Sequence, residues 1–240
     1  MFKERILDIG CGKTNHLGLD NRPNTHIVGC DLRKDFVKYR ITRGDAGEFL
    51  VADGESLPFT DSSFDEVVLA GSLEHMTNPL FALNEAYRVL KPGGRLILDV
   101  PHPRYERVME RIVPDYGNDG LHKHIFQPGE IKKLLEKAGF IIYECSPRMW
   151  KAAVHFSLRW LRARLEGKLR FDHDSGELLD YPQDEKESNL SKWFNNLLWL
   201  SENKSASLKR FYLVSPLRLL NKIYPWVTYI EAQKAKLVTN

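Results

Sequence analysis

The stretch Ile6–Asn15, ILDIGCGKTN, ends a β-branched apolar run in two glycines one residue apart, with Asp8 just ahead of them. Glycines after a strand let the backbone approach a ligand where side chains would not fit. Three chemistries compete for such a loop. A phosphate-cradling loop needs G-x-x-x-x-G-K-[ST]. Gly12, Lys13 and Thr14 match its end, but Leu7 stands where its first glycine belongs. A dinucleotide loop needs G-x-G-x-x-G and an acid about 20 residues on. Gly10 and Gly12 fit, and Asn15 replaces the third glycine. A nucleoside held by carboxylates needs acids at neighbouring strand ends. Asp31 closes HIVGCD and Asp53 closes FLVAD. In a doubly wound sheet these ends lie beside the first loop. One carboxylate there can accept both hydroxyls of a ribose, and the other can meet an adenine amino group. Taken singly, each aspartate is better read as an N-cap or a turn residue.

Histidines form a second set. His75 follows the fourth apolar run in SLEHM, His102 follows the fifth in VPHP, and His122 and His124 share LHKHIFQPGEI. Imidazole changes charge near neutral pH and can serve as a general base toward a hydroxyl. Each has a plainer role too: His75 can shape its loop and His102 can occupy a turn. His122 and His124 are a possible metal pair, but no acid stands at matching spacing, so no metal is expected. Glu74 is either a supporting partner or a helix N-terminal acid.

The elements that must position these residues follow from apolar periodicity. Strand-length runs occur at Ile6–Ile9, His26–Cys30, Phe49–Ala52, Val67–Ala70, Arg95–Val100, Phe140–Cys145 and Trp226–Ala232. Continuous apolar strands with helical spacers predict a parallel sheet covered on both faces, an α/β fold. A helix is predicted over Asn78–Leu90, with Leu80, Leu83, Tyr87 and Leu90 on one face, stopped by KPGG. Another follows Pro128, with Ile131, Leu134, Leu135 and Ala138 as its stripe and Gly139 as its stop.

The ordered series LDIGCG, VGCD, ADGESLPFTDSSFDEVVLAGSLEHMTNP and EAYRVLKPGGRLIL, over roughly residues 5 to 145, resembles the class I S-adenosylmethionine-dependent methyltransferases. It is most similar to their small-molecule group with an LPF, SFD and LEH signature. The resemblance implies a Rossmann-like doubly wound sheet of seven strands, mostly parallel with an antiparallel last strand, and S-adenosyl-L-methionine as cofactor. It implies that Asp8, Gly10, Cys11 and Gly12 pass under the methionine end, and that Asp31 holds the ribose. Asp53 and Gly54 would meet the adenine, and Ala70 would offer backbone to the methionine amino group. His75 would lie close to the methyl group, and His122 in the segment that caps the acceptor site; with His102 these are the candidate catalytic residues. Two departures stand out. The third loop glycine is replaced by Thr14, and Asn15, His16, Gly18 and Pro23 predict a short or irregular first helix. That leaves Asp20 as a rival for the ribose.

The chain has 240 residues, 42% of them hydrophobic, with a net charge of +3 and three widely spaced cysteines. These suit a cytoplasmic enzyme without disulfides or a zinc site. The N-terminal residues enter a strand at once, so no signal peptide is expected. The core is expected over residues 1–149 and 225–240, with a helical insertion over 150–224. The insertion joins a basic, aromatic stretch (Trp150–Arg170) to an acidic one (Phe171–Leu190). It is either a lid or a peripheral element on the inner membrane surface. A small-molecule acceptor methylated at oxygen is expected, with a lipid-linked acceptor suiting both roles of the insertion. No nucleic-acid partner is expected, because the acidic run opposes a phosphate track. Oligomeric state is not legible. The rivals are a non-catalytic S-adenosylmethionine-binding protein and an NAD-dependent oxidoreductase.

Overall fold

The computed structural model describes residues 4–13, 19, 22–112, 122–148 and 227–236. Within them one sheet runs in the order β3-β2-β1-β4-β5-β7-β6. Its strands are β1 (Glu4–Ile9), β2 (Thr25–Asp31), β3 (Glu48–Val51), β4 (Phe64–Ala70), β5 (Leu90–Pro101), β6 (Phe140–Arg148) and β7 (Val227–Lys234). β1 pairs in parallel with β2 and β4, β2 with β3, and β4 with β5. β7 inserts between β5 and β6 and runs antiparallel to both. The sheet is therefore doubly wound and mostly parallel, and its order reverses between β1 and β4.

Both faces of the central strands are buried, so alternate residues feed two cores. Leu7, Ile9, Val28, Val67 and Leu69 join the larger core, while Ile6, Ile27, Val68 and Ala70 join the smaller. This is why these strands read as unbroken apolar runs rather than alternating ones. Four helices accompany the sheet among the described residues: α1 (Lys34–Arg43), α2 (Pro79–Val89), α3 (Pro103–Ile112) and α4 (Pro128–Lys137). A 3-10 turn, Leu73–His75, links β4 to α2.

Several boundaries differ from expectation for physical reasons. β3 ends at Val51, so Asp53 stands in the following turn, where its Oδ1 accepts the Glu55 amide proton at 2.9 Å. β5 begins at Leu90 and takes in KPGG, because Leu90 pairs with Phe64 and a register shift follows before Glu66 meets Arg95. α2 therefore ends at Val89, and its buried face is Ala82, Leu83, Ala86 and Val89, with Leu80 and Tyr87 packed at its margin. α1 carries a weak apolar stripe; neither it nor α3, whose Tyr105, Val108, Met109 and Ile112 are spaced at i, i+3, i+4 and i+7, was foreseen from periodicity. The expected insertion over 150–224, the short or irregular first helix expected around Asn15, His16 and Gly18, and Asp20 lie outside the described residues.

The quoted signature also has a structural cause. Arg88, on α2, donates to Glu85 (2.7 Å), Asp61 (2.8 Å) and the carbonyls of Phe59 (2.7 Å) and Leu57 (3.1 Å). Glu85 Oε2 accepts the Leu57 amide proton at 2.7 Å. The E-x-x-R pair on α2 thus holds the ESLPFTDSS loop, and with it Asp53 and Gly54. Removing Arg88 strands two carbonyls and a carboxylate. We expect Arg88→Ala to cost about 2–4 kcal/mol of stability, read as a lowered midpoint in urea unfolding with an unchanged slope.

Candidate functional site

The C-terminal edge of the sheet collects the expected residues. At the β1 end, the amide protons of Gly10 and Cys11 both go to the Cys30 carbonyl, at 2.8 and 3.0 Å. Gly10 and Gly12 have φ of +72° and +53°, a region open to glycine at little cost. The Gly12 amide donates to Asp31 Oδ2 at 3.0 Å, and the Arg33 amide donates to Asp31 Oδ1 at 2.8 Å. Asp31 is thus aimed by two backbone amides while keeping further lone pairs for a ligand. A Cβ on Gly12 would meet nothing within 4 Å, so that side of the loop is open. A Cβ on Gly54 would stand 2.7 Å from Ile9 Cγ2 and 2.9 Å from Met76 Cε, which brings the Asp53 turn against the β1 tip.

The loop is also held from below by a residue that composition did not single out. Arg40, on α1, is 1% exposed. Its Nη1 donates to the Cys11 carbonyl at 3.2 Å, and its guanidinium lies 4.6 Å from the Phe49 ring centre and pairs with Asp45. Cys11 and Cys30 are buried, and burial pushes both thiols up, Cys30 to about 12. Asp8 and Asp31 add to both shifts. Asp8 and Asp31 thus bring negative charge to the loop, partly offset at Cys11 by Arg40. That suits a ligand bearing a sulfonium and an ammonium and opposes a pyrophosphate, and Asp31 and Asp53 suit hydroxyl and amino donors. The donor set fits S-adenosylmethionine.

On the other side of the switch point, β4 ends at Ala70, paired with Asp99 of β5. Ser72 Oγ donates to the Ile9 carbonyl at 2.8 Å. Beyond it, Glu74, His75 and His122 bring ligand-type atoms within 4.8 Å of one another. The His75 and His122 rings lie 5.0 Å apart, centre to centre. Glu106, on α3 and 3% exposed, sits 3.2 Å from His122 Nδ1. A carboxylate only accepts, so Nδ1 carries the proton and Nε2 keeps its lone pair. Burial pushes the Glu74 carboxyl up to about 8, against a downward pull from His122, and pushes Asp99 up to about 7. Glu106 and Asp99 were missed in the sequence. The signal for Asp99 was a lone acid in the apolar run RLILDV; Glu106 had none.

The other two histidines stand apart from this group. His102 Nδ1 accepts the Arg104 amide proton at 3.1 Å and opens α3, a capping role that needs the ring neutral. Burial and the nearby Arg104 and Arg107 lower its proton affinity accordingly. His124 donates from Nε2 to the Met76 carbonyl at 3.0 Å and stacks on Phe126. Its amide and that of Lys123 donate to the Glu74 carbonyl, at 3.1 and 2.9 Å. This lays the 122–126 segment along the 3-10 turn.

Known proteins resemble this chain. Residues 7–98 match a family described as a methyltransferase domain. A demethylmenaquinone methyltransferase of Thermus thermophilus is 30% identical over 179 residues, 63% of this chain and 81% of that protein. A ubiquinone/menaquinone biosynthesis C-methyltransferase of Cereibacter sphaeroides is 31% identical over 130 residues, 48% of this chain and 52% of that one. The chain spans about half the length of several curated relatives it matches. In fold it is similar to the methyltransferase solved with the Haloferax volcanii Trm112 activator. That likeness has a TM-score of 0.57 at 18% identity and covers 97% of this chain and 83% of that one.

The meeting of the two halves can be tested by itself. A Cβ on Gly10 would stand 2.5 Å from Ser72 Cβ and 3.1 Å from Ser72 Oγ, with Ser72 Cα next at 3.8 Å. Gly10→Ala should lower the melting temperature through both backbone strain and this collision. Adding Ser72→Gly removes the collision, and its loss of the Oγ bond to the Ile9 carbonyl is measured in the Ser72→Gly single variant. A double-mutant cycle by thermal unfolding should therefore show a favourable coupling of about 1–3 kcal/mol.

Proposed function

The chain belongs to the class I S-adenosylmethionine-dependent methyltransferases, and from that membership we propose that it transfers a methyl group to a hydroxyl oxygen of a small, lipid-linked acceptor. The observation that carries this reading is the position of residues 72–76. Ser72 touches the glycine loop and Met76 approaches Gly54, so the Glu74–His75 turn lies between two points of the cofactor face. His122 closes on that turn from the opposite side.

When bound, S-adenosylmethionine supplies an electrophilic methyl carbon on its sulfonium sulfur. The chain's own residues hold and align the two reactants. Asp31 would accept from the ribose hydroxyls. Asp53 and Gly54 would face the adenine, and Asp8, Gly10, Cys11, Gly12 and Ala70 would line the methionine end. His122 Nε2 would take the proton of the acceptor hydroxyl, with Glu106 stabilising the charged ring through Nδ1. His75, next to His122, would orient the acceptor. His102, occupied as a cap, is dropped from the catalytic set.

The lipid-linked acceptor is supported by the quinone substrates in the names of the relatives. Contact with the inner membrane surface through residues 150–224, and a cytoplasmic location, are proposals from the sequence. Among the described residues no helix is long and apolar enough to cross a membrane.

A second reading follows from the relatives named as C-methyltransferases. Deprotonating a ring hydroxyl also raises the nucleophilicity of the ring carbon beside it, so the same base could direct the methyl to carbon. Incubation with methyl-labelled S-adenosylmethionine and a short-chain quinol, read by carbon NMR, separates the two by the shift of the new methyl. An oxygen-bound methyl is the expected product. Failure of a panel of quinols and phenols to accept methyl from a chain that binds the cofactor would favour the non-catalytic binding protein. His122→Ala should lower kcat by roughly 10²–10⁴-fold while leaving S-adenosylmethionine affinity unchanged by calorimetry.

A further inference from the structure

We propose that Glu74, His75 and His122 form a site for one divalent transition-metal cation, such as Zn²⁺ or Mn²⁺, beside the cofactor face. Their ligand atoms already lie within 4.8 Å of one another. Donors around an ion at roughly 2.1 Å stand about 3–4 Å apart, so small side-chain rotations would close the shell. A second observation points the same way. Glu74 is 2% exposed, and its Oε2 has no hydrogen-bond partner among the described residues. A buried polar oxygen without a partner is costly, and a cation is the partner it lacks.

The surroundings match a metal centre beyond the three ligands. Glu106 holds His122 by its Nδ1 at 3.2 Å, the carboxylate–imidazole arrangement that orients ligating histidines and strengthens them as donors. Asp99, 3% exposed, adds a second buried carboxylate whose Oδ1 is unpartnered among the described residues. Glu74, Asp99 and Glu106 thus place three buried acids at one edge of the sheet. Two imidazoles and one carboxylate favour zinc, manganese or iron over magnesium, which takes oxygen donors and water. Three protein ligands leave a position open, as in metal sites that bind a reactant oxygen. Use of that position by the acceptor hydroxyl rests on the methyl-transfer reading; ion binding itself does not. His122 would then act as a ligand rather than a base, and the ion would lower the proton affinity of the hydroxyl.

The test is calorimetric titration of chelator-treated full chain with ZnCl₂, MnCl₂ and MgCl₂, repeated on Glu74→Gln, His75→Asn and His122→Asn. S-adenosylmethionine binding is measured on every protein as the check on folding. We expect one Zn²⁺ per chain, at least tenfold weaker binding in each variant that still binds the cofactor, and much weaker binding of Mg²⁺. Absence of one-to-one Zn²⁺ or Mn²⁺ binding in the wild type overturns the site. So does undiminished binding in any variant that still binds the cofactor, since the ion would then be held elsewhere. Should a variant lose the cofactor through misfolding, the other two decide. Zn²⁺ bound by a wild-type chain that fails to bind S-adenosylmethionine would sink the methyl-transfer reading and leave the ion site standing.

Discussion

The site depends on one close approach. The β1 loop and the β4 loop meet at the switch point of the sheet, where Gly10 lies so near Ser72 that no side chain could come between them. The Ser72 hydroxyl closes the contact on the Ile9 carbonyl. On one side of that contact stand the residues suited to a nucleoside: Asp31 aimed by two amides, and Asp53 and Gly54 folded against Ile9. On the other stand Glu74 and His75, carried on the 3-10 turn that Ser72 begins. Parallel strands with opposed crossovers leave a crevice at this point, and the glycine contact sets the distance between its walls.

The charge of the crevice follows from the same geometry. Parallel strands all end on one edge, so acids placed at strand ends accumulate there: Asp8 and Asp31 beside the loop, Asp99 on β5. Glu74, on the turn after β4, and Asp99 are buried, and burial penalises the charged form of each. A cofactor carrying positive charge relieves the first group and a cation relieves the second. Arg40 plays a different part: its guanidinium, engaged with the Cys11 carbonyl, Asp45 and the Phe49 ring, holds the loop and partly offsets the negative charge at Cys11.

Much of this was legible because it is local. β-branched runs ending in Asp31, or in Ala70 ahead of SLEHM, announce strands and their tips, and parallel pairing then fixes which tips are neighbours. Asp53 was displaced by two residues from its expected strand end, since turn chemistry at Asp53–Ser56 stops β3 early. What the chain did not reveal was set by long-range packing. Spacing paired His122 with His124, since residues two apart share a face in a regular strand, but residues 122–126 form no strand and the two rings diverge. His122 turns to Glu74 and His75, and His124 turns to the Met76 carbonyl and Phe126. Ser72 and Ile9 are 63 residues apart, and no periodicity encodes such a contact. Glu106 drew no notice in the sequence, and only α3 brings it to His122.

The central claim is that the acidic crevice holds S-adenosylmethionine through Asp31. Calorimetric titration with S-adenosylmethionine, S-adenosylhomocysteine and NAD, on the wild type and on Asp31→Ala, tests it most directly. The account predicts saturable one-to-one binding of both sulfur nucleotides, weakened at least tenfold in the variant, and no binding of NAD. Binding of NAD in preference to either, or sulfur-nucleotide binding that ignores the loss of Asp31, would contradict it.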